Sequence, residues 1–316
     1  MIWVDITNLP HVLFFRDFIN THDCLVTTRD FGHLTDLLEH NNIEYTSVGR
    51  HGGSDKYSKL SESAKRVEEL AKIISGDDIE YAVSKHSVEL PRVAYGLGIE
   101  SIFVLDNEHA VQQNRLTLPL VDNLITPEGL SKDIISGQGA NMDGLQSFKG
   151  VCEASHLNSF KPSDAFKEYG EYVIVRPEPY MASYFKDKAQ TQSLINTLSS
   201  SGYEVLVLPR DKEVYENAVH LENIDSLNLI YHSKAFFGGG GTMNREAAIL
   251  GVPAFSFYSQ KLLGVDRFLI KEGLLRHITD LDSLDLDSGF EDNREKAKKL
   301  RETFEDPFKI VENIIS

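Results

Sequence analysis

Cysteine is scarce in this chain: 316 residues carry two, Cys24 and Cys152. They lie far apart with no partner at metal spacing, which excludes a disulfide framework and a zinc site, and both are expected to be buried small hydrophobes. Positive charge is also short. The 32 basic residues against 48 acidic ones leave a net charge of -16, which repels phosphate backbones at long range and argues against general nucleic-acid binding. A local pocket for one phosphate ligand stays open. No run approaches the roughly 20 apolar residues of a membrane-spanning helix. The start, MIWVDITNLP, has neither the basic end nor the cleavage site of a signal peptide, so the expected address is the cytoplasm. There is no Gly-Lys dipeptide, hence no Walker A loop. A G-x-G-x-x-G pattern counted from Gly238 or Gly239 meets Met243 or Asn244 where the last glycine belongs. The first strand-to-helix turn, DITNLPH, has no glycine at all, which argues against an NAD enzyme.

What is present is alternation. Short β-rich runs read IWVDI (2–6), CLVTT (24–28), EYTSV (44–48), YAVS (81–84), SIFVL (101–105) and NLIT (123–126). Between them lie segments of helical periodicity such as 32–41, 61–75 and 89–98. After a stretch rich in Gly, Ser, Asn and Asp the series restarts with YVIVRPEP (172–179), YEVLVLP (203–209), VHLEN (219–223), AFFG (235–238) and VPAFSFY (252–258). Strands alternating with helices of this length mean parallel sheets wrapped on both faces. With a prior of about 150 residues per domain, the pattern predicts an α/β protein of two Rossmann-like domains, 1–160 and 161–316, facing across a cleft. The final helical segment is broken at Asp306-Pro307 and is expected to cross back to the first domain.

The stretch FFGGGGTMNREAAILGVP (236–253) places four glycines between a buried strand and a helix starting near Thr242, an N-cap candidate. Backbone N–H groups at a helix start, with no Cβ atoms to hold a ligand away, make an anion site. Gly239, Gly240, Gly241 and Thr242 are therefore expected at a phosphate. Glu246 lies one turn further on, and a carboxylate there suits two vicinal hydroxyls. Arg245 is expected on the surface. Arg176, after the first strand of the second half, is expected to bind phosphate oxygens, and Arg210 to face solvent.

The glycines, Glu246 and the closing Gly251-Val252-Pro253 resemble the donor-nucleotide motif of GT-B glycosyltransferases. They resemble in particular the N-acetylglucosaminyltransferase that completes the lipid-linked peptidoglycan precursor and the non-hydrolysing UDP-N-acetylglucosamine 2-epimerase. The resemblance implies that Glu246 holds the ribose hydroxyls of UDP and that the helix start faces the diphosphate. Over nearly its whole length the chain also resembles an uncharacterised prokaryotic family allied to that superfamily, with its D-I-x-N-x-P-H start and D-N-E-H segment.

Three polar clusters follow strands of the first half. Asp5, Asn8 and His11 sit after the first strand, and His11 is a candidate general base because an imidazole titrates near neutrality. The peptidoglycan transferase has a histidine followed by valine in its first loop, preceded by two glycines where this chain has Leu9-Pro10. Lys85 and His86 follow the fourth strand, with His86 a candidate sugar or acceptor contact. In LDNEHAVQQNR (105–115) Asp106, Asn107, Glu108 and His109 crowd the end of an apolar strand. Resemblance to the transferase's His-Glu-Gln-Asn and the epimerase's His-x-Glu points to Glu108 as catalytic, with His109 a second acid or base and Asn107 and Asn114 as contacts.

The reaction implied is sugar transfer from a nucleotide diphosphate-sugar, UDP-linked, to an acceptor hydroxyl on a glycan or lipid-linked partner. A sugar-nucleotide epimerase and a non-catalytic nucleotide-sugar binder are the alternatives. No tightly bound cofactor and no metal are expected: H-E-x-x-H spacing is absent, and the D-x-D at Asp280-Leu281-Asp282 lies in a late polar segment. The sugar, the acceptor and the oligomeric state are not given by the sequence.

Overall fold

The computed structural model describes residues 1–178, 186–210, 213–222, 224–280, 284, 286 and 290–316, with the backbone alone at 168 and 186–189. Two units divide the chain: Met1–His156 with Glu305–Ser316, and Leu157–Phe304. The first holds strands β1 (Ile2–Ile6), β2 (Cys24–Asp30), β3 (Thr46–Arg50), β4 (Tyr81–Lys85), β5 (Glu100–Val104), β6 (Asn123–Pro127) and β7 (Leu145–Phe148). All pair in parallel, in the order β3-β2-β1-β4-β5-β6-β7. The second holds β8 (Tyr172–Arg176), β9 (Glu204–Val207), β10 (Val219–His220), β11 (Ala235–Gly238), β12 (Ala254–Ser256) and β13 (Leu275–His277). They too are all parallel, ordered β10-β9-β8-β11-β12-β13. Each sheet reverses strand order at its middle, between β1 and β4 and between β8 and β11. That is the topological switch point at which doubly wound sheets bind ligands.

The period of two in β1 decides what each face of the first sheet meets. Ile2, Val4 and Ile6 join Val12, Phe14, Phe15 and Phe18 of the helix Leu9–Thr21. Trp3 turns to the opposite face, covered by Leu70 and Ile74 of the helix Lys56–Ile74 and by Leu90 and Val93. The final helix, Pro307–Ile315, belongs to the first unit. Asp306 caps it by accepting from Phe308 N at 3.0 Å, and the Phe308 ring lies 4.8, 5.7 and 5.0 Å from those of Phe14, Phe15 and Phe18. Burying one such phenylalanine stabilises by about 2–3 kcal/mol, enough to hold a nine-residue helix that could not persist alone.

Several elements differ from the sequence expectation. β7 and β13 are additional strands: each is a sheet edge with a single pairing partner, so neither carries the continuous apolar run of a central strand. The helix expected from 61 begins at Lys56, because Asp55 accepts from Ser58 N at 2.7 Å and starts it a turn earlier. Cys24 is half-buried at the start of β2; only Cys152 is buried. Leu281 and Asp282 of the D-x-D, Pro179 of VRPEP, Asp211 beside Arg210, and Asn223 of VHLEN lie outside the described residues. No helix among the described residues is long and apolar enough to cross a membrane.

Candidate functional site

In the first unit the switch point gathers the residues that follow β1, β4 and β5. His86, just past β4, has φ +56°, a left-handed conformation that a side chain with a Cβ seldom adopts and that surrounding structure must impose. Its Nε2 lies 2.7 Å from Asp106 Oδ1, while Asp106 Oδ2 takes Lys85 Nζ at 2.7 Å. A carboxylate only accepts, so Nε2 carries a proton toward Asp106. Burial works against the charge of Lys85, but Asp106 outweighs it and holds the ammonium pKa above its ordinary value. The ammonium also sits 4.8 Å above the Phe14 ring.

His11, in the first turn of the helix after β1, stacks on His86 at 6.1 Å. It is buried, and its Nδ1 has no hydrogen-bond partner among the described residues. Burial, then Lys85 and His86, push its pKa well below the usual histidine value, so His11 is neutral. Asn8 is the N-cap of this helix but makes no side-chain cap; its Oδ1 accepts instead from Arg29 Nη2 at 3.3 Å.

Asp5 has a structural setting. Its carboxylate takes Arg66 Nη2 at 2.6 Å and Nη1 at 3.0 Å, Ser87 Oγ at 2.5 Å and Thr27 Oγ1 at 2.7 Å. Burial would raise its pKa, but Arg66 and these hydrogen bonds hold it below the ordinary value. Arg66, 1% exposed, also reaches Glu89 at 3.2 Å. Asp5 shares its β1 face with Trp3, and the helix carrying Arg66 covers that face. This corrects the expectation of a ligand contact at Asp5: every oxygen is already committed to the protein. Asn114, 1% exposed, is also turned to the protein: its amide nitrogen donates to Asn107 O at 3.0 Å and Gln138 Oε1 at 2.7 Å. Asn107 Oδ1 accepts from His109 N at 2.9 Å and shapes the turn. Glu108 is fully buried, with Oε1 3.8 Å from His109 Nε2, so only His109 of that pair is partly exposed.

In the second unit the switch point lies between the ends of β8 and β11, where the glycine turn begins. None of Gly238, Gly239, Gly240 or Gly241 has a positive φ, so conformational freedom is not what they supply. Close approach is. A Cβ at Gly239 would lie 2.6 Å from Glu178 N and 2.8 Å from its Cα; one at Gly238 would strike the Asn244 amide. At Gly240 it would meet only the guanidinium end of Arg210, and at Gly241 that of Arg245. Asn244 donates to Gly238 O at 2.9 Å and Gly240 O at 2.5 Å, pinning the turn. The helix runs Thr242–Leu250 with Gly241 as N-cap, so Thr242 is its first residue, not its cap. The first N–H groups of such a helix have no carbonyl one turn back to bond.

Glu246 is buried in this helix. Arg245 is not on the surface as expected: it is 3% exposed and paired with Asp266 at 3.1 Å, because the helix is covered on nearly all sides. Arg176 donates to Leu208 O at 2.8 Å and Pro209 O at 2.5 Å, bracing the end of β9. Arg210, exposed but not simply directed to solvent, donates from Nε to Pro177 O at 2.7 Å and lies over Gly240. Of the two arginines that reach the glycine turn, Arg210 is the exposed one and Arg245 the buried one. The position of Arg210 just after a central strand was the one sequence signal for it. Glu178 accepts from Ser259 N at 2.5 Å and Ser259 Oγ at 3.0 Å, tying the ends of β8 and β12. Among the described residues no group of three or more His, Cys, Asp or Glu is placed to hold a metal ion.

Two parallel sheets of this order, with polar residues at each switch point, define a protein of the GT-B type. Similar solved structures include the UDP-GlcNAc 2-epimerase of Neisseria meningitidis bound to UDP-GlcNAc (TM-score 0.73, 11% identity, 99% of each chain covered). The UDP-GlcNAc 2-epimerase of Methanocaldococcus jannaschii in complex with UDP-GlcNAc and UDP gives TM-score 0.71 at 13% identity, again over 99% of each. The spinosyn rhamnosyltransferase SpnG with spinosyn aglycone gives 0.63 at 11%, over 100% of each. At such identities the likeness establishes the fold alone. The chain itself belongs, over residues 1–316, to the family described as Protein of unknown function (DUF354). Within sequence relatives, it is 40% identical over 303 residues to the uncharacterized protein MJ0665 of Methanocaldococcus jannaschii, covering 89% of this chain and 88% of that one.

Proposed function

We propose that the protein transfers a sugar from a nucleotide diphosphate donor, a UDP-sugar, to an acceptor hydroxyl. The observation that supports this most is the turn after β11: four glycines at a switch point, with a helix start behind them and Arg210 over Gly240. In this reading the N–H groups of Gly240, Gly241 and Thr242 receive the diphosphate, that of Gly239 being bonded to Arg176 O at 2.8 Å; Arg210 adds a charge, and Glu246 accepts from the ribose hydroxyls. As the sugar leaves, the growing charge on the diphosphate is met by dipoles already oriented toward it. The acceptor hydroxyl loses its proton to His86 Nδ1, and Asp106 stabilises the imidazolium that forms. His11, held neutral, packs behind that ring and positions it. Glu108 and His109 remain candidates for a second proton transfer.

The test is incubation of the protein with radiolabelled UDP-GlcNAc, with and without an acceptor extract. Label moving to an extract component supports transfer. An epimeric sugar nucleotide formed without extract replaces the reading with epimerisation, and binding without any product replaces it with a nucleotide-sugar binder. Calorimetry with UDP isolates the donor half. Gly240→Val displaces only the movable end of Arg210, so the variant should fold and lose UDP; unchanged affinity ends the assignment of the glycine turn.

A further inference from the structure

For His86 to act as a base its Nδ1 must be unprotonated, yet its Nε2 lies 2.7 Å from the buried carboxylate of Asp106. A buried carboxylate without a matching charge draws a proton onto a neighbour that can take one. Left with His86 alone, Asp106 would hold the ring as an imidazolium, which has no lone pair to offer.

Lys85 changes that balance. Val83 of β4 packs among Val4, Phe14 and Phe15, and the period of two brings Lys85, two residues on, to the same apolar side of the sheet. Lys85 is 6% exposed; its ammonium sits 4.8 Å from the Phe14 ring centre and reaches Asp106 Oδ2 at 2.7 Å. An ion pair buried in this way is weak evidence for stability, because desolvating two charges offsets most of their attraction. What the pair does supply is a carboxylate whose charge is already matched. One oxygen meets the ammonium and the other the imidazole, so Asp106 is held from both sides. Also facing the His86 ring are His11, from the helix after β1, and Phe103 of β5, edge-on at 6.3 Å. His11 is neutral, since burial and then Lys85 and His86 hold its pKa well below the usual histidine value. Neither neighbour adds a negative charge.

We propose that Lys85 sets the proton state of His86: by matching the charge of Asp106 it keeps the imidazole neutral, with Nδ1 ready to take the acceptor's proton, while Asp106 still fixes the ring. The inference rests on the reading of His86 as the base. Lys85 acts through Asp106 and touches no substrate. The proton leaves the acceptor oxygen for Nδ1 as that oxygen bonds the sugar and the diphosphate departs.

The experiment is a pH titration of the histidine ring nitrogens by long-range proton–nitrogen NMR. In the wild-type protein at about pH 7.5 the His86 ring should be neutral with its proton on Nε2, and an imidazolium there overturns the proposal. Lys85→Met, similar in length but uncharged, should move the His86 midpoint up by about one pH unit or more, whereas Lys85→Arg should titrate as the wild type does. An unchanged midpoint in a folded Lys85→Met protein overturns the proposal. Because that variant leaves a buried carboxylate short of a cation, the double variant Lys85→Met, Asp106→Asn is read beside it. Removing both charges together should leave the midpoint nearly where it was, and a fall of about one unit or more means that Lys85 does not match Asp106. Where transfer is found, the acid limb of kcat/KM should rise with the midpoint in Lys85→Met and return in Lys85→Arg. A lysine-dependent titration in a protein that transfers no sugar keeps the control of His86 by Lys85 and removes its role as base. Transfer with a titration indifferent to Lys85 removes this inference alone.

Discussion

The turn after β1 and the turn after β11 each border the switch point of their sheet, β1 standing where β8 does and β11 where β4 does, and they are built in opposite ways. After β1 the chain passes through Asn8, Leu9 and Pro10 into a helix whose first turn buries His11. After β11 it passes through glycines whose missing Cβ atoms let Glu178, Arg210 and Arg245 close in on the backbone. One turn presents a buried imidazole and a polar amide, and the other presents bare backbone and an arginine. The difference teaches that a strand order sets where a ligand lies, and the turn residues set which chemistry meets it. It also shows that a glycine run need not serve one purpose: Gly238 and Gly239 pack on the protein, Gly241 lies against the buried, Asp266-paired end of Arg245, and Gly240 faces the exposed end of Arg210.

The largest effect that would break this comparison is at Arg66. Arg66→Met leaves Asp5 and Glu89 buried without their cation and should cost about 3–5 kcal/mol in urea unfolding; a loss within experimental error would mean that the first switch point does not depend on that pair. Gly239→Ala drives a Cβ into the Glu178 backbone and should destabilise by about 1–3 kcal/mol. Gly240→Ala should be nearly neutral by the same measurement, and equal losses would erase the distinction between the two glycines. His86→Asn should slow turnover about 100-fold with UDP affinity unchanged. His11→Asn should act less, and the opposite order under single-turnover conditions returns the base to His11. Glu246→Ala should weaken UDP by about 2 kcal/mol in calorimetry.

The smallest effect concerns pH. The folded pKa of His11 is depressed by burial and Lys85, so the stability it contributes is fully present above about pH 6.5 and is lost as pH falls toward the folded value. Asp5 is depressed too, but its contribution is lost only below the ordinary carboxylate range. His11→Asn should therefore flatten the stability profile just below neutrality and leave the steeper acid limb in place. Thermal melts across about pH 2–8 separate the two.

Much of this molecule is legible along the chain because its signals are short-range. Apolar runs bounded by turn residues mark β1, β4, β5, β8 and β11, and the run of four glycines marks the turn after β11 by residue type alone. β7 and β13 are not legible, since LQSF and LRH become strands only by lying against β6 and β12. Among site residues, the types and positions of His11, His86 and Glu246 could be read, but their surroundings could not. Arg245, read as a surface residue from its helix position, is buried because the helix Gly264–Lys271 brings Asp266 to it.

The sequence by itself determined the alternation of strand and helix, the parallel sheets, the place of the glycine turn and the residue types after each central strand. These follow from periodicity and turn chemistry that act over a few residues. The tertiary structure alone decided which charges are spent inside the protein and which remain for a ligand. Asp5 meets Arg66 across 61 positions, and Glu178 meets Ser259 across 81. His86 reaches Asp106 across 20. No local pattern encodes such pairs, because a charge is neutralised by whatever the packed sheet and helices bring within a few ångströms of it.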